Sequence, residues 1–341
     1  MNIKPVDNAI VRFACKSDMS AICEFIDRHW RKDHILSRDP ELFQYLYSGN
    51  GDLLNFVIST HSKTADVLAI LGYIPTSDTF SRISLSIWVA TPDYKYRKLK
   101  SGLAVMKFLI NELNPSGLFS AGINQKTENV YKFLGYTCGM MNHHVFINNR
   151  LLHFDILQNL PQNPNVEQSE TNANHIVSEI TTDSELRGLL DKFDFQPTGK
   201  DVNYLCHRYL HHPQFKYSIR KVLKDDQMLG LVIYRRLFAN EKSCIRIIDV
   251  VGGEECLKGV FFNLIREMRE YGDEYIDLVS FGLDTKSLEN IGFIDRRKYG
   301  DFVVPEYFSP FSRTNVDIRF FTNLPETEII YKGDGDQDRP N

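Results

Sequence analysis

Residues 122–136 read GINQKTENVYKFLGY. An apolar run over 117–122 predicts a strand whose end is marked by Asn124, and helical spacing follows over 126–134. Gly135 then stands where a helix stops, because glycine enters the left-handed conformation without steric cost. Asn124, Tyr131 and Gly135-Tyr136 thus fall on a strand end, a helix and a helix stop. Working outward, the preceding chain predicts strand 9–14, helix 17–30 with Ser17-Asp18 as its N-cap, and helix 39–47. Strands 53–59 and 66–74, the alternating strand Ile83, Leu85, Ile87, Val89, and helix 101–113 come next, and strand 143–148 closes this half.

The second half repeats the order. It predicts strand 176–180, helices 183–192 and 201–210, strands 217–223, 228–237 and 244–250, helix 254–271, strand 275–281, helix 285–290, and strands 300–304 and 316–321. Leu71-Gly72 matches Leu229-Gly230, Ile87 matches Ile248, Gly122-Ile123-Asn124 matches Gly282-Leu283-Asp284, and Gly135-Tyr136 matches Gly292-Phe293, at offsets of 158, 161, 160 and 157 residues. A near-constant offset through so many elements points to an internal duplication. The fold class expected is α/β (α+β): two tandem domains, each a mixed, mostly antiparallel sheet flanked by helices. Their bounds are 1–158 and 176–331. The polar stretch 159–175 reads as a linker, and 332–341, KGDGDQDRPN, as a tail that composition alone would leave disordered.

The 341 residues, 43% hydrophobic and 25% charged, suffice for two full cores. A net charge of -4 gives no general drive towards nucleic acid, which is not expected as a partner. No stretch approaches the roughly 20 apolar residues of a membrane span, and no secretory signal opens the chain, so a cytoplasmic protein is expected. Six cysteines lie scattered with no C-x-x-C pair, and no metal is expected. The oligomeric state is not legible; monomer and homodimer both fit.

The element order, and above all the spacing of Asn124, Tyr131 and Gly135-Tyr136, resembles the GNAT superfamily of acyl-CoA transferases. That resemblance implies acyl-CoA, acetyl-CoA first among the candidates, as co-substrate. Asn124 would hydrogen-bond it, and the Tyr131 hydroxyl would hand a proton to the departing thiolate. The structural alternative is that Tyr131 caps a core and Gly135 merely ends a helix. A second family hallmark, the phosphate loop, is matched by Arg97-Lys98-Leu99-Lys100-Ser101-Gly102, with Lys100 in place of the first glycine. Arg97, Lys98, Lys100, Ser101 and Gly102 are the expected cofactor-binding residues, since a helix N-terminus reinforced by basic side chains binds phosphate. A solvated basic turn is the alternative. In the second copy the loop reads Val251-Gly252-Gly253-Glu254-Glu255-Cys256 and the tyrosine position holds Leu288, so that copy is expected to bind no coenzyme A.

Between the first two helices, His29-Trp30-Arg31-Lys32-Asp33-His34 occupies the region that lines the acceptor site in the resembled family. His29 or His34 is the candidate general base and Trp30 a candidate substrate contact; His143-His144 are weaker candidates. Several segments further resemble a group of tandem-GNAT proteins of bacterial O-antigen and capsule clusters: residues 29–36, Val304-Pro305-Glu306-Tyr307-Phe308-Ser309-Pro310-Phe311, Asn315-Val316-Asp317-Ile318 and 334–341. This likeness implies lipopolysaccharide or capsule biosynthesis, with an acyl group passing to the amine of a nucleotide-linked amino sugar. It also gives the tail a role, in which Asp334, Asp336, Asp338 and Arg339 orient the acceptor. Two other readings are an aminoacyl-tRNA-dependent transferase and a non-catalytic sugar-binding or assembly partner.

Overall fold

The computed structural model describes residues 8–162, 175–190, 199–325 and 327–340. Most of the expected linker therefore lies outside the described residues. Contacts divide the chain into one unit of Met1–Ser120 with Arg339–Asn341 and a second of Ala121–Asp338, so the break falls at residue 120 rather than in the polar stretch at 159–175.

The first unit runs β1 (Ala9–Cys15), α1 (Met19–His29), α2 (Ile35–Arg38), α3 (Pro40–Tyr47), β2 (Leu53–His61), β3 (Val67–Pro75), β4 (Arg82–Ala90), a 3-10 turn at Tyr94–Leu99, α4 (Ser101–Leu113) and β5 (Gly117–Ala121). β1 to β4 form an antiparallel run in sequence order, and β5 adds parallel to β4. β3 is buried from Leu68 to Tyr73, as a central strand covered on both faces must be. On α4, Val105, Met106 and Leu109 face inward, and Asn114 at φ 45 closes its C-terminus.

The second unit contains α5 (Gln125–Phe133), β6 (Thr137–Met140), β7 (Asn142–Ile147), β8 (His175–Ile180), α6 (Asp183–Leu190) and α7 (Val202–Leu205). β9 (Ser218–Lys224), β10 (Gln227–Ala239), β11 (Lys242–Gly252), α8 (Glu254–Tyr271), β12 (Tyr275–Phe281), α9 (Thr285–Asn290) and β13 (Ile294–Asp295) follow. The short strands β14 (Tyr307–Phe308), β15 (Phe311–Ser312), β16 (Arg319–Thr322) and β17 (Ile330–Tyr331) complete it. Its large sheet has the order β13-β7-β12-β11-β10-β9-β8. α8 buries Leu257, Val260, Phe261, Leu264 and Met268 along one stripe against this sheet and stops at Gly272, φ 74.

The duplication read from the sequence is crossed by strand exchange. β7, the last strand of the first repeat, pairs antiparallel with β12 of the second, from Ile147 on Tyr275 to Asn142 on Ser280. β16, from the end of the second repeat, pairs with β6 of the first. The second half of β7 is apolar on both faces: Phe146 joins one core cluster, while Val145 and Ile147 join another. The strand expected at 300–304 is an irregular segment with one bridge, Val303 to Gln158. The helix expected at 201–210 becomes α7 followed by a π turn at Cys206–Leu210 that carries Arg208 and Tyr209 inward.

Candidate active site

In the first unit, β4 and β5 are bonded only from Arg82 to Ser84 against Gly117 to Phe119. Beyond Ser84 the β4–β5 register ends, while β4 itself runs on to Ala90. α4 starts beside the end of that strand. Trp88 Nε1 donates to the Gly102 carbonyl at 2.8 Å, tying the first helical turn to β4. A Cβ on Gly102 would lie 3.3 Å from Ala90 Cβ, so the glycine permits this approach.

The first N–H groups of α4 have no partner within the helix and point outward with the positive end of its dipole. Lys100, where the resembled family has glycine, adopts φ 48 and caps the helix from the left-handed region. The turn thus survives loss of the glycine, at a cost of about 1 kcal/mol for a residue with a Cβ. The Ser101 hydroxyl is buried with no hydrogen-bond partner in the described structure. A cleft of about 240 Å³ opens here, lined by Ala90, Tyr96, Arg97, Lys100, Ser101 and Gly102. Lys98 is exposed on the same turn. An orphaned hydroxyl, a helix N-terminus and exposed cations fit the phosphates of coenzyme A.

His29 ends α1 and lines a larger cleft of about 600 Å³ with Phe25, Arg28, Asp66, Lys95 and Tyr96. Partial burial, then Arg28, push its pKa below the usual imidazole value. Trp30, next to it, is 40% exposed. His34 is different. It is buried, and burial together with Arg339, Arg31 and Arg38 lowers its pKa to about 4. Its Nε2 lies 3.1 Å from Arg339 Nη2. Its Nδ1 faces the Leu36 N–H at 3.3 Å, so the one lone pair of a neutral imidazole is taken by one of these two donors. Of the two candidate bases, His29 lines the cleft of about 600 Å³ and His34 is buried against Arg339.

In the second unit Asn124 caps α5, its Oδ1 accepting from Thr127 N–H at 2.9 Å. Tyr131 is 2% exposed and stacks on Phe321 at 3.7 Å between centroids, with Tyr136 edge-on at 6.1 Å. Burial drives its pKa well above the usual phenol value, so the hydroxyl holds its proton throughout the physiological range. Gly135 closes the helix at φ 88 as the sequence predicts. Gly122 has φ 90, and a Cβ there would fall 1.8 Å from the Gln337 Nε2. Gln337 is therefore seated against the strand end that opens the motif. No periodicity or spacing singled it out.

The terminal segment is not a disordered tail. Asp334 is fully buried and pairs with Lys200 at 2.7 Å; Asp338, 1% exposed, takes a bidentate contact from Arg235 and a hydroxyl bond from Tyr217 at 2.7 Å. Asp336 is also buried. Glu306, from the quoted 304–311 segment, pairs with Lys332 at the head of the tail. His143 bonds Asp277 at 2.9 Å in a buried cluster with Arg246. His144 is wholly buried, mainly for which reason its pKa falls to about 4. In the second copy Leu288 sits in the apolar core, and Glu254 bonds the N–H of Asp284.

No protein-family model and no curated protein sequence matches the chain. Solved structures do. A GCN5-related N-acetyltransferase from Anabaena variabilis ATCC 29413 superposes with a TM-score of 0.56 at 12% identity, over 92% of this chain and 72% of that one. A conserved protein from Enterococcus faecalis V583, described as a probable N-acyltransferase, gives 0.55 at 12% identity, over 94% and 73%. Such identities speak for the fold alone. The chain has the expected fold class, mixed sheets flanked by helices and shared with GNAT-fold proteins over nearly its whole length.

Proposed function

We propose that the chain is an N-acyltransferase that moves an acyl group, acetyl first among the candidates, from acyl-CoA to the amine of a nucleotide-linked amino sugar. The observation that carries this reading is the α4 N-terminus, where the buried Ser101 hydroxyl has no hydrogen-bond partner among the described residues and Arg97 and Lys100 line the same cleft. Lys100, Ser101, Gly102 and Arg97 hold the phosphates, and the helix dipole favours their charge. The bound thioester supplies an activated acyl carbon. His29, neutral at pH 7, takes a proton from the attacking amine. The GNAT resemblance gives Tyr131 the role of handing a proton to the leaving sulfur as the carbon–sulfur bond breaks. Asn124, by capping α5, fixes the helix that carries Tyr131.

The sugar amine and the surface-polysaccharide setting rest on the likeness of residues 29–36, 304–311, 315–318 and 334–341 to the tandem-GNAT group. Trp30, exposed beside His29, offers a ring for the acceptor to stack on. Mass spectrometry of products, after incubation with panels of acyl-CoAs and nucleotide-linked amino sugars, tests this directly. An acylated sugar is expected. Sugar binding without any thioester binding would overturn the reading in favour of a partner protein, and ribonuclease-sensitive transfer in favour of an aminoacyl-tRNA donor.

A further inference from the structure

The second unit repeats the briefly bonded pair of parallel strands. β11 and β12 are bonded only from Ile245 to Ile247 against Ile276 to Leu278, after which β11 runs on to Gly252 and β12 to Phe281. Such a wedge presents two facing rows of backbone donors and acceptors, and buried rows must be paired. Here the chain's own end pairs them. β17 adds to β12 through Tyr331 on Ser280 and Ile330 on Phe281. Lys332 N–H then donates to the Val279 carbonyl at 3.1 Å, on one wall, and Gly333 N–H to the Ile248 carbonyl at 2.8 Å, on the other.

The residues beyond are gripped by groups that suit an extended peptide. A Cβ on Gly333 would lie 2.5 Å from Tyr209 Oη and 2.9 Å from the Ile248 carbonyl oxygen, so the wedge accepts glycine alone at this point. Tyr204 Oη donates to the Gly333 carbonyl at 3.3 Å. Arg208, wholly buried on the π turn, donates to the carbonyls of Gly335 at 3.0 Å and Asp338 at 2.9 Å. A buried guanidinium is costly unless its protons are used; here Nη2 serves the backbone of the terminal segment, while Nε and Nη1 have no hydrogen-bond partner among the described residues. Lys200 and Arg235 take its carboxylates.

We infer that the β11–β12 wedge is a peptide-binding cleft whose ligand is this chain's own segment 330–338. It works by strand addition: backbone bonds supply affinity, and the glycine slot with the Lys200 and Arg235 subsites supplies specificity. This goes beyond the proposed transfer reaction and does not depend on it. The captive segment closes the wedge to any second thioester. It also sets the Gln337 amide against Gly122, making Gln337 a positioning residue for the strand end that leads to Asn124.

The test severs the ligand without removing it. A protease recognition sequence inserted in the full chain at the Asn323–Pro325 turn allows the terminal peptide to be cut loose after folding. The cut peptide is expected to stay with the body through gel filtration and to be exchanged by a fluorescent synthetic peptide of residues 329–341. The same peptide carrying Gly333→Val is expected to compete at least about 100-fold less well. Release of the peptide in native buffer, or equal competition by the valine peptide, would overturn the inference. In the uncut, unmodified chain, the amides of Lys332 and Gly333 are expected to exchange as slowly as those of β12. Exchange at the rate of exposed turns would overturn it whether or not the inserted variant folds.

Discussion

Replacing Asp338 with asparagine keeps the shape of the side chain and removes its charge. The carboxylate accepts from Arg235 Nη2 at 2.7 Å and Nε at 3.1 Å and from Tyr217 Oη at 2.7 Å. Although burial pushes its pKa up, Arg235 and then the other nearby cations hold it well below the usual carboxylate value. The asparagine would turn an amide donor towards donors and leave Arg235 without a counter-ion. Breaking a buried pair from one side costs about 3–5 kcal/mol. Arg235 retains 16% exposure and stacks on Phe215 at 3.9 Å, which places the expected loss near the lower end, about 3 kcal/mol.

For a unit of this size that corresponds to a melting temperature lower by about 6–12 °C. The double-mutant cycle isolates the pair. With Arg235→Gln alone and both changes together, a coupling of about 2 kcal/mol is expected in urea unfolding. The sign with pH follows from the lowered pKa: the stabilisation is present above the unfolded value near 3.9 and is lost as pH falls towards the folded one. The gap between wild type and Asp338→Asn should therefore narrow in acid. A loss below about 1 kcal/mol at pH 7, or additivity within about 0.5 kcal/mol, would refute the reasoning.

Tyr131→Phe should lower turnover by about 10²- to 10⁴-fold while thermal stability changes little, and unchanged turnover would exclude Tyr131 as the proton donor. Lys100→Gly should raise stability by about 0.5–1 kcal/mol by relieving the left-handed backbone, whereas Lys100→Val should lower it; melting temperatures decide, and a stabilising valine would contradict the assigned conformation. Although burial raises the Asp277 pKa, Arg246 and His143 bring it from 3.8 to about 2, so about 2 kcal/mol of stability is present above pH 4 and lost as pH falls to about 2. Asp277→Asn should flatten that limb of the stability profile between pH 4 and 2, and an unaltered limb would show that the acid sensitivity arises elsewhere.

Where a long apolar period met a good stop, the sequence was legible to the residue. Helices 101–113, 254–271 and 285–290 and strand 275–281 lie where the pattern put them. Val304 and Phe302 are buried as an apolar run suggests, yet the segment gains a single bridge, because apolarity reports burial and not a partner strand. The exchange of β7 was hidden for the same reason: its apolar run Val145-Phe146-Ile147 reads alike in either sheet. The tail was misleading by composition. Asp334 and Asp338 are neutralised by Lys200 and Arg235, more than 100 residues away, and no local pattern records such partners. Spacing put Asn124 just before a helix, Tyr131 on that helix and Gly135 at its stop, and these local positions hold. It could not separate His29 from His34, which differ in what surrounds them.

The pairing of β7 with β12 also has a clock in it. Some 130 residues separate the two strands, since Ile147 lies opposite Tyr275. At about 5–20 residues per second, a growing chain holds β7 for roughly 7–26 s before its neighbour emerges. Throughout that wait Val145, Phe146 and Ile147, later buried on both faces, have no sheet to join. A ribosome stalled within 159–175 would release a chain with a sticky, unmatched edge, a natural client for chaperones or proteases. The second sheet closes only late in synthesis, and its wedge is sealed later still, once residues 330–338 have followed β12 out of the tunnel.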